Sequence, residues 1–373
     1  MAMNNSSPLP TAQSVVARVN ALVPWMQQRA GQLDEAAEFP IEEIAVLHDA
    51  GVLTVPLPSE RVDSARAGPD LLNNVLTGLG RGNLAVGRIV EAHINARHLI
   101  ARYGSPAQRA RARAHVEDRH LFALWVTDPA EKALRITRIR DSVRLDGGKM
   151  FCSAAGHATR ALVTATDESG ASQMLVLALG TGERVVPLES PLQGMRAATT
   201  GAVDFTGCTA HADALLGDPG DYLREPLFSA GAWRGSAVAL GGLRSLLDLT
   251  TAQLEAAARL DDPHQQERLG CAIIACETSR LWIREAARIA ENPLTDCGHA
   301  VAYTGLARIA VESACLDAMR LVQRSLGLSA FRRGNPVERI CRDLATYLRQ
   351  PAPDAVLTEA AAFFARHPML DWA

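Results

Sequence analysis

The stretch at 145–165 combines side chains that could hold a flat cofactor or act on a substrate. Phe151 offers an aromatic ring, Ser153 a hydroxyl and His157 an imidazole. A ring beside a hydroxyl suits the edge of a heteroaromatic cofactor, because the ring stacks and the hydroxyl bonds polar ring atoms. The Gly-Gly pair at 147–148, with apolar runs after it, predicts a β-hairpin-like element whose second strand lies at 161–165. His157, in the loop between them, is a candidate for contact with cofactor or substrate.

Other residues that could do chemistry lie in predicted helices and turns. His93 and His98 are five positions apart on a helix, a spacing that puts them on different faces, so no metal site is expected. His93 alone could line a site as an acid, a base or a hydrogen-bonding group. Arg332, which precedes Arg333 and Gly334, could bind a phosphate or another anion. The alternatives are a helix-surface histidine and an exposed basic turn.

The composition excludes several classes of protein. The chain has 373 residues, 48% of them hydrophobic and 21% charged, with a net charge of −3. This balance is typical of a soluble globular protein and gives no electrostatic reason to bind nucleic acid or an anionic membrane. We expect no membrane span and no signal peptide. The seven scattered cysteines favour free thiols in a reducing cytoplasm over a disulfide framework or a zinc site.

The pattern of hydrophobic residues changes twice along the chain. Residues 12–120 follow a helical period, residues 121–220 read as short strands separated by turns, and residues 221–373 return to long amphipathic helices. Residues 1–11 are expected to be a disordered tail. The predicted architecture is α+β, with an N-terminal helical domain, a central antiparallel β-barrel or sheet domain and a C-terminal four-helix bundle.

Four segments carry a resemblance to a known family. Residues 39–53 resemble the N-terminal helix of the acyl-CoA dehydrogenase family and its glycine exit, and residues 125–129 resemble the Thr-Glu-Pro that ends its first strand. Residues 194–205, followed by 215–217, are similar to the family's Gly-x-Arg block. Residues 336–343 are similar to its Arg-x-x-Arg-Asp helix. The resemblance covers the whole chain, in the family's order and at similar spacing.

This resemblance implies a flavin between the sheet and the bundle, FAD by preference, with FMN as the alternative. Thr127 would then hydrogen-bond the isoalloxazine, Phe151 would take the place of the usual tryptophan, and Ser153 would lie near the reactive nitrogen. Arg332 could bind a phosphate of FAD. The bundle would mediate a homotetramer or a dimer. The reaction implied is oxidation of an acyl thioester, such as a coenzyme A thioester, by hydride transfer to FAD.

The carboxylate base of this family is missing from both of its usual places. The dehydrogenation needs a base to remove an α-proton. Pro351 stands where the commoner glutamate follows the Arg-Asp helix, and Arg234 stands at the alternative place, where the first bundle helix starts. A slip in the alignment would bring in Asp354 or Glu359. The catalytic base therefore stays unassigned, and the candidates for a catalytic role are Arg234, His93 and His157.

The departures from the pattern leave two other functions open. The coenzyme A motif after Pro129 is absent, and the Gly-x-Ser-Ala form at 327–330, like His93, is closer to the flavin-dependent monooxygenases of the same fold. Such an enzyme would take reduced flavin from a reductase partner and act on a small aromatic or heterocyclic substrate with O₂. A dehydrogenase would instead need an electron-transfer partner. The second alternative is a catalytically silent paralogue that serves as a binding or partner subunit.

Overall fold

The computed structural model describes residues 12–57, 68–180 and 184–367, so the predicted tail at 1–11 lies outside the described residues. Within these ranges helices come first, strands follow and helices return. The first helices are α1 (Ala12–Ala36), α2 (Ile41–Asp49), α3 (Pro69–Gly82), α4 (Leu84–Tyr103) and α5 (Pro106–Glu117).

The bounds of α4 and α5 follow from the residues at their ends. Asn83 caps α4, its Oδ1 accepting a hydrogen bond of 2.9 Å from the Ala85 N–H. Ser105 and Gln108 form a capping box that starts α5, with Pro106 as the first helical residue. A fixed start and stop for α4 matters because this helix carries several of the polar side chains discussed below.

The central strands form two sheets. The strands are β1 (Phe122–Trp125), β2 (Arg135–Ile139), β3 (Ser142–Asp146), β4 (Gly148–Cys152), β5 (Arg160–Thr166), β6 (Ser172–Ala178), β7 (Val185–Val186), β8 (Gly201–Asp204), β9 (Thr209–His211) and β10 (Leu215–Leu216). In the larger sheet the order is β10-β6-β5-β2-β3-β9, and β1 pairs with β5 in parallel. The smaller sheet has the order β4-β8-β7 and is antiparallel.

The predicted hairpin at 145–165 is wrong. β4 pairs with β8 in the smaller sheet, whereas β5 pairs with β6 and β1 in the larger one. The segment between β4 and β5 therefore crosses from one sheet to the other instead of turning back on itself. The glycines at 147–148 end β3 and start β4, so the sharp turn they allow separates the two sheets.

The C-terminal helices are α6 (Leu227–Ala230), α7 (Trp233–Ala256), α8 (Pro263–Glu291), α9 (Cys297–Leu326), α10 (Pro336–Tyr347) and α11 (Pro353–Arg366). They pack around α9, which contacts α7, α8 and α11 and so forms the predicted four-helix bundle. At Gly80 and Gly241 the backbones of α3 and α7 touch: a Cβ built on Gly80 would lie 2.0 Å from the Val238 carbonyl oxygen.

Two segments of the family resemblance meet where α10 packs on the central strands. The Asp343 carboxylate, only 2% exposed, accepts a hydrogen bond of 2.6 Å from the Met195 N–H and pairs with Arg339 at 3.3 Å. The Gly194 N–H donates to Thr346 Oγ1 at 3.1 Å. One hydrophobic core runs from the first helices through the strands into the bundle. The predicted α+β architecture is thus confirmed.

None of the helices in the described ranges combines the length and hydropathy that a membrane span requires. No group of three or more His, Cys, Asp or Glu side chains in the same ranges is arranged to hold a metal ion.

Candidate functional site

The structure brings together three of the four residues predicted to bind a flavin: Thr127, Phe151 and Ser153. We call them the strand-end group, because they lie where β1 and β4 end. The Met150 N–H donates to the Thr127 carbonyl oxygen at 2.9 Å, and the Trp125 indole N–H donates to the Ser153 carbonyl oxygen at 2.9 Å. Thr127 is exposed, Phe151 is 46% exposed and Ser153 is 7% exposed.

The backbone of this group is strained. Phe151 has a φ of +54° and Ala154 one of +59°, values that non-glycine residues seldom adopt. The pairing of β4 with β8 shifts register between Lys149 and Cys152, and Phe151, which lies within this irregularity, is 46% exposed. Strain of this kind persists only where the surroundings impose it, and it is concentrated at functional sites.

Lys149 holds the strained strand in place from beneath. Its side chain is completely buried, and its Nζ donates to Asp128 Oδ1 at 2.7 Å, to Thr164 Oγ1 at 3.1 Å and to the Val126 carbonyl oxygen at 3.1 Å. Burial lowers the pKa of Lys149, and the Asp128 carboxylate opposes that effect. Lys149 therefore ties β4 to the segment that carries Thr127.

The strand-end group fits a flat aromatic cofactor. A large aromatic side chain is left half exposed in a strained conformation, on a segment that also carries Ser153 and whose backbone is hydrogen-bonded to Thr127. An isoalloxazine ring offers both a face for Phe151 and polar edge atoms for hydroxyl or backbone groups.

Arg332 lies elsewhere. It follows the 3₁₀ helix Gly327–Phe331, and its side chain is exposed. Among the described residues no hydrogen bond or ion pair joins its side chain to the strand-end group. Its role in binding a phosphate stays a prediction.

His157 lies just beyond the strand-end group, where its ring stacks on Phe39 with 4.1 Å between ring centroids and an interplanar angle of 4°. Partial burial lowers its pKa, which favours the neutral ring. The structure thus places His157 at the contact between the central strands and the segment before α2, and its catalytic role stays a prediction.

His93 has a structural position. It is fully buried, Nδ1 accepts a hydrogen bond of 3.1 Å from the Phe122 N–H, and Nε2 lies 3.0 Å from the Leu53 carbonyl oxygen. Because Nδ1 accepts, the ring is neutral and Nε2 carries the proton. With both ring nitrogens hydrogen-bonded to the backbone, His93 joins α4 to β1 and has no ring nitrogen left to bind a substrate.

The buried His93 predicts acid sensitivity. Burial, reinforced by the nearby Arg97 charge, lowers the pKa of His93 to about 3. The stability linked to its neutral form is present above pH 6.5 and is lost as the pH falls toward 3. We expect this residue to lower the free energy of unfolding by about 2 kcal/mol between pH 7 and pH 5. Urea unfolding across this range measures it; in His93→Gln, which does not titrate, the fall should be smaller by that amount, and parallel profiles would contradict the assignment.

A small cavity of about 90 Å³ lies between α4, α7, α9 and α10, and we call it the four-helix cavity. Each position that the family resemblance assigns to a base is next in sequence to a lining residue, since Arg234 precedes Gly235 and Pro351 follows Gln350. The lining residues are Arg88, Glu91, Ala232, Gly235, Ser236, Ala239, Arg308, Val311, Glu312, Tyr347, Leu348 and Gln350.

The residues at the two family positions cannot act as bases here. The Arg234 guanidinium donates to Glu291 Oε1 at 2.7 Å and to Asn95 Oδ1 at 2.6 Å, which occupies it in a buried ion pair. Pro351 has no ionisable group. Asp354 and Glu359, which a slip in the alignment would bring in, are exposed on α11 and do not line the cavity.

Glu91 brings a carboxylate to this cavity from α4, a helix in which the family resemblance predicts no carboxylate base. It is 6% exposed, with Arg88 donating to Oε2 at 2.5 Å and Asn95 to Oε1 at 2.6 Å. Each carboxylate oxygen keeps a further lone pair for a proton. The sequence does offer a sign of this residue, a glutamate between the apolar residues Val90 and Ala92. A glutamate is seldom buried unless it has partners, so one at an apolar position of a helix indicates a polar site.

A larger cavity of about 430 Å³ lies among the central strands and α5, lined among others by Trp125, His115 and Arg160. No member of the strand-end group lines either cavity. The residues next to the two family positions for the base line the four-helix cavity and not the larger one, so the four-helix cavity is the better candidate for the proton-transfer site.

Comparisons with known proteins agree with this architecture. No family model matches the chain. It is 26% identical over 345 residues to 3-sulfinopropanoyl-CoA desulfinase of Variovorax paradoxus, covering 84% of each chain. It is 25% identical over 339 residues to the mitochondrial short-chain specific acyl-CoA dehydrogenase of Rattus norvegicus, covering 84% of this chain and 80% of the relative.

Among solved structures, FMN-bound TdsC of Paenibacillus sp. A11-2, a dibenzothiophene monooxygenase, matches with a TM-score of 0.83. It is 19% identical, and the match covers 95% of this chain and 97% of TdsC, which shows a shared fold. Taken with the order of the four sequence segments and the contact between two of them, these comparisons show that the chain is similar over most of its length to an acyl-CoA dehydrogenase and to an acyl-CoA desulfinase, and that it shares the acyl-CoA dehydrogenase fold.

Proposed function

We propose that the protein is a flavin-dependent oxidoreductase that oxidises an acyl thioester or a related substrate by hydride transfer to FAD. The observation that carries this proposal is a buried carboxylate, Glu91, in the cavity whose lining includes a sequence neighbour of each family position for the base. The two curated relatives act on, or are named for, coenzyme A thioesters, which supports the substrate class.

The strand-end group and the four-helix cavity have different roles in the proposed reaction. When bound against the strand-end group, FAD supplies the hydride acceptor. Phe151 offers its ring to the flat face, and Ser153 and Thr127 offer polar groups to the edge. Glu91 would take the proton from the carbon next to the thioester carbonyl, and the electron pair left behind would form the new double bond as the hydride leaves the β-carbon for the flavin. Arg88 and Asn95 hold the Glu91 carboxylate in position.

Replacing Phe151 with alanine should weaken FAD binding by about two- to tenfold, because the stacking contact of an aromatic ring contributes about 0.5–1.5 kcal/mol. Titration of the flavin-free protein with FAD, followed by flavin fluorescence, measures the dissociation constant. Ile139→Ala is the matched control, since Ile139 is also a large apolar residue of the central strands that is 46% exposed. Equal affinity in Phe151→Ala and Ile139→Ala would place the flavin elsewhere.

The visible spectrum of the purified protein tests the proposed function. We expect a yellow protein whose flavin absorbance bleaches when butyryl-CoA is added without oxygen. A colourless protein that binds neither oxidised nor reduced flavin would reject both enzymatic functions and favour a silent paralogue.

A flavin-dependent monooxygenase is the second candidate, supported by the whole-chain likeness to TdsC. A protein that takes up only reduced flavin, consumes oxygen and ignores butyryl-CoA would establish this alternative. The homo-oligomer and the electron-transfer or reductase partner stay predictions, and gel filtration of the flavin-bound protein checks the first of them.

A further inference from the structure

Tyr347 presents an unsatisfied hydroxyl to the four-helix cavity. Its side chain is 7% exposed, and its Oη has no hydrogen-bond partner among the described residues. A buried hydroxyl without a partner is costly, so a molecule that supplies a hydrogen-bond partner at this place gains binding energy. Burial raises the pKa of Tyr347 well above its usual value, so the phenol keeps its proton and can donate it in a hydrogen bond.

The hydroxyl lies beside the start of α7, where the family places its alternative base. A Cβ built on Gly235 would lie 3.4 Å from Tyr347 Oη, and Gly235 lines the same cavity. The absence of a side chain at Gly235 thus leaves the space next to the hydroxyl open.

A second unsatisfied donor lines the cavity. Arg308 Nε is buried and has no partner among the described residues, although Arg308 Nη2 donates to the Pro351 carbonyl oxygen at 2.6 Å. The nearby carboxylates are already engaged, Glu91 by Arg88 and Glu312 by Arg349. Both unsatisfied groups are therefore N–H or O–H donors, and an oxygen acceptor is the chemistry that they lack.

The cavity is small. Its volume of about 90 Å³ holds several water molecules, since about 10–15 Å³ of such volume is enough for one. The short, oxygen-bearing end of a substrate therefore fits.

We propose that the four-helix cavity selects a short acyl group whose far end carries an oxygen acceptor, which Tyr347 Oη–H and Arg308 Nε–H bind. This inference rests on the proposed function and names its substrate class. A hydroxyl and a carboxylate both supply such an oxygen, so the test includes both.

Three coenzyme A thioesters with four-carbon acyl groups test the proposal: butyryl-CoA, 4-hydroxybutyryl-CoA and succinyl-CoA. Dissociation constants are measured by anaerobic calorimetric titration of the FAD-bound protein. At least one of the oxygenated thioesters should bind about tenfold more tightly than butyryl-CoA, as a hydrogen bond of ordinary strength allows. In Tyr347→Phe this preference should fall to twofold or less, while butyryl-CoA binds as before.

Tyr103→Phe is the matched control, because Tyr103 Oη is also buried without a partner among the described residues but Tyr103 does not line the cavity. Both variants remove an unsatisfied hydroxyl, so both should unfold at the wild-type urea midpoint or above it, and only Tyr347→Phe should change the preference.

Two results would overturn the proposal, and they differ. If all three thioesters bind equally, or if Tyr347→Phe weakens all three alike, the selection is wrong and the proposed function stands. If the FAD-bound protein binds none of them, the acyl thioester function fails, and the selection fails with it.

Discussion

Replacing Glu91 with glutamine is expected to slow the reduction of bound FAD by an acyl-CoA substrate by a factor of about 10² to 10⁴, the usual contribution of a general base. Glutamine has nearly the same shape but cannot take a proton at neutral pH. Anaerobic stopped-flow measurement of flavin bleaching isolates this step from later reoxidation. The flavin content of the variant should stay at the wild-type level, because Glu91 lies in the four-helix cavity and not in the strand-end group.

The control for the lost ion pair is Glu277→Gln. Glu277 pairs with Arg280 three residues along α8 at 2.5 Å, the same spacing and distance as Arg88 with Glu91, but on the exposed face of the bundle. It should reduce its flavin at the wild-type rate. Glu91→Asp keeps the charge and should recover part of the rate. If Glu91→Gln reduces its flavin as fast as Glu277→Gln, the base lies elsewhere.

Replacing Asp343 with alanine is expected to lower the free energy of unfolding by about 3–5 kcal/mol, the usual result of removing one partner of a buried ion pair. The change leaves Arg339, which is 7% exposed, without its carboxylate and leaves the Met195 N–H without an acceptor. Burial raises the pKa of Asp343 to about 6, so at pH 7.5 the carboxyl is ionised and the pair is intact. Urea unfolding at pH 7.5 measures the loss.

Asp343→Asn separates the two contributions, since its amide oxygen can still accept from the Met195 N–H but carries no charge for Arg339. It should lose less stability than the alanine variant, and limited proteolysis should cut residues 194–199 faster in the alanine variant than in the asparagine variant. Equal stability of both variants and the wild type would mean that the contact does not hold α10 to the central strands.

The sequence predicted those features that depend on local pattern. The order of helices, strands and helices follows from the hydrophobic period, and the segment at 148–153 was identified from its ring and hydroxyl. The hairpin prediction failed because strand pairing is set by distant partners: β4 meets β8, and nothing between residues 145 and 165 encodes β8. Patterns near one another in the chain can belong to different sheets.

The candidate base was missed for a related reason. Glu91 reaches the cavity only because α4 crosses α7 and α10, so its importance depends on contacts between helices that are far apart in sequence. His93, two residues away, is predicted as a candidate because its side chain is ionisable. Both of its ring nitrogens are hydrogen-bonded to backbone groups instead. Side-chain type predicts what a residue can do, and the packing of its helix decides whether it meets a substrate.

The contact between the glycines of α3 and α7 bears on how this cavity could change its chemistry. Because Gly80 meets the Val238 carbonyl oxygen and Gly241 meets the Thr77 carbonyl oxygen, main-chain atoms rather than side chains set the spacing of these helices there. The start of α7 is therefore held in place whichever residue occupies position 234. Because main-chain contacts fix the helix positions, the reactive side chains around the cavity can change during evolution. A carboxylate can even move from one helix to another while the helices keep their places.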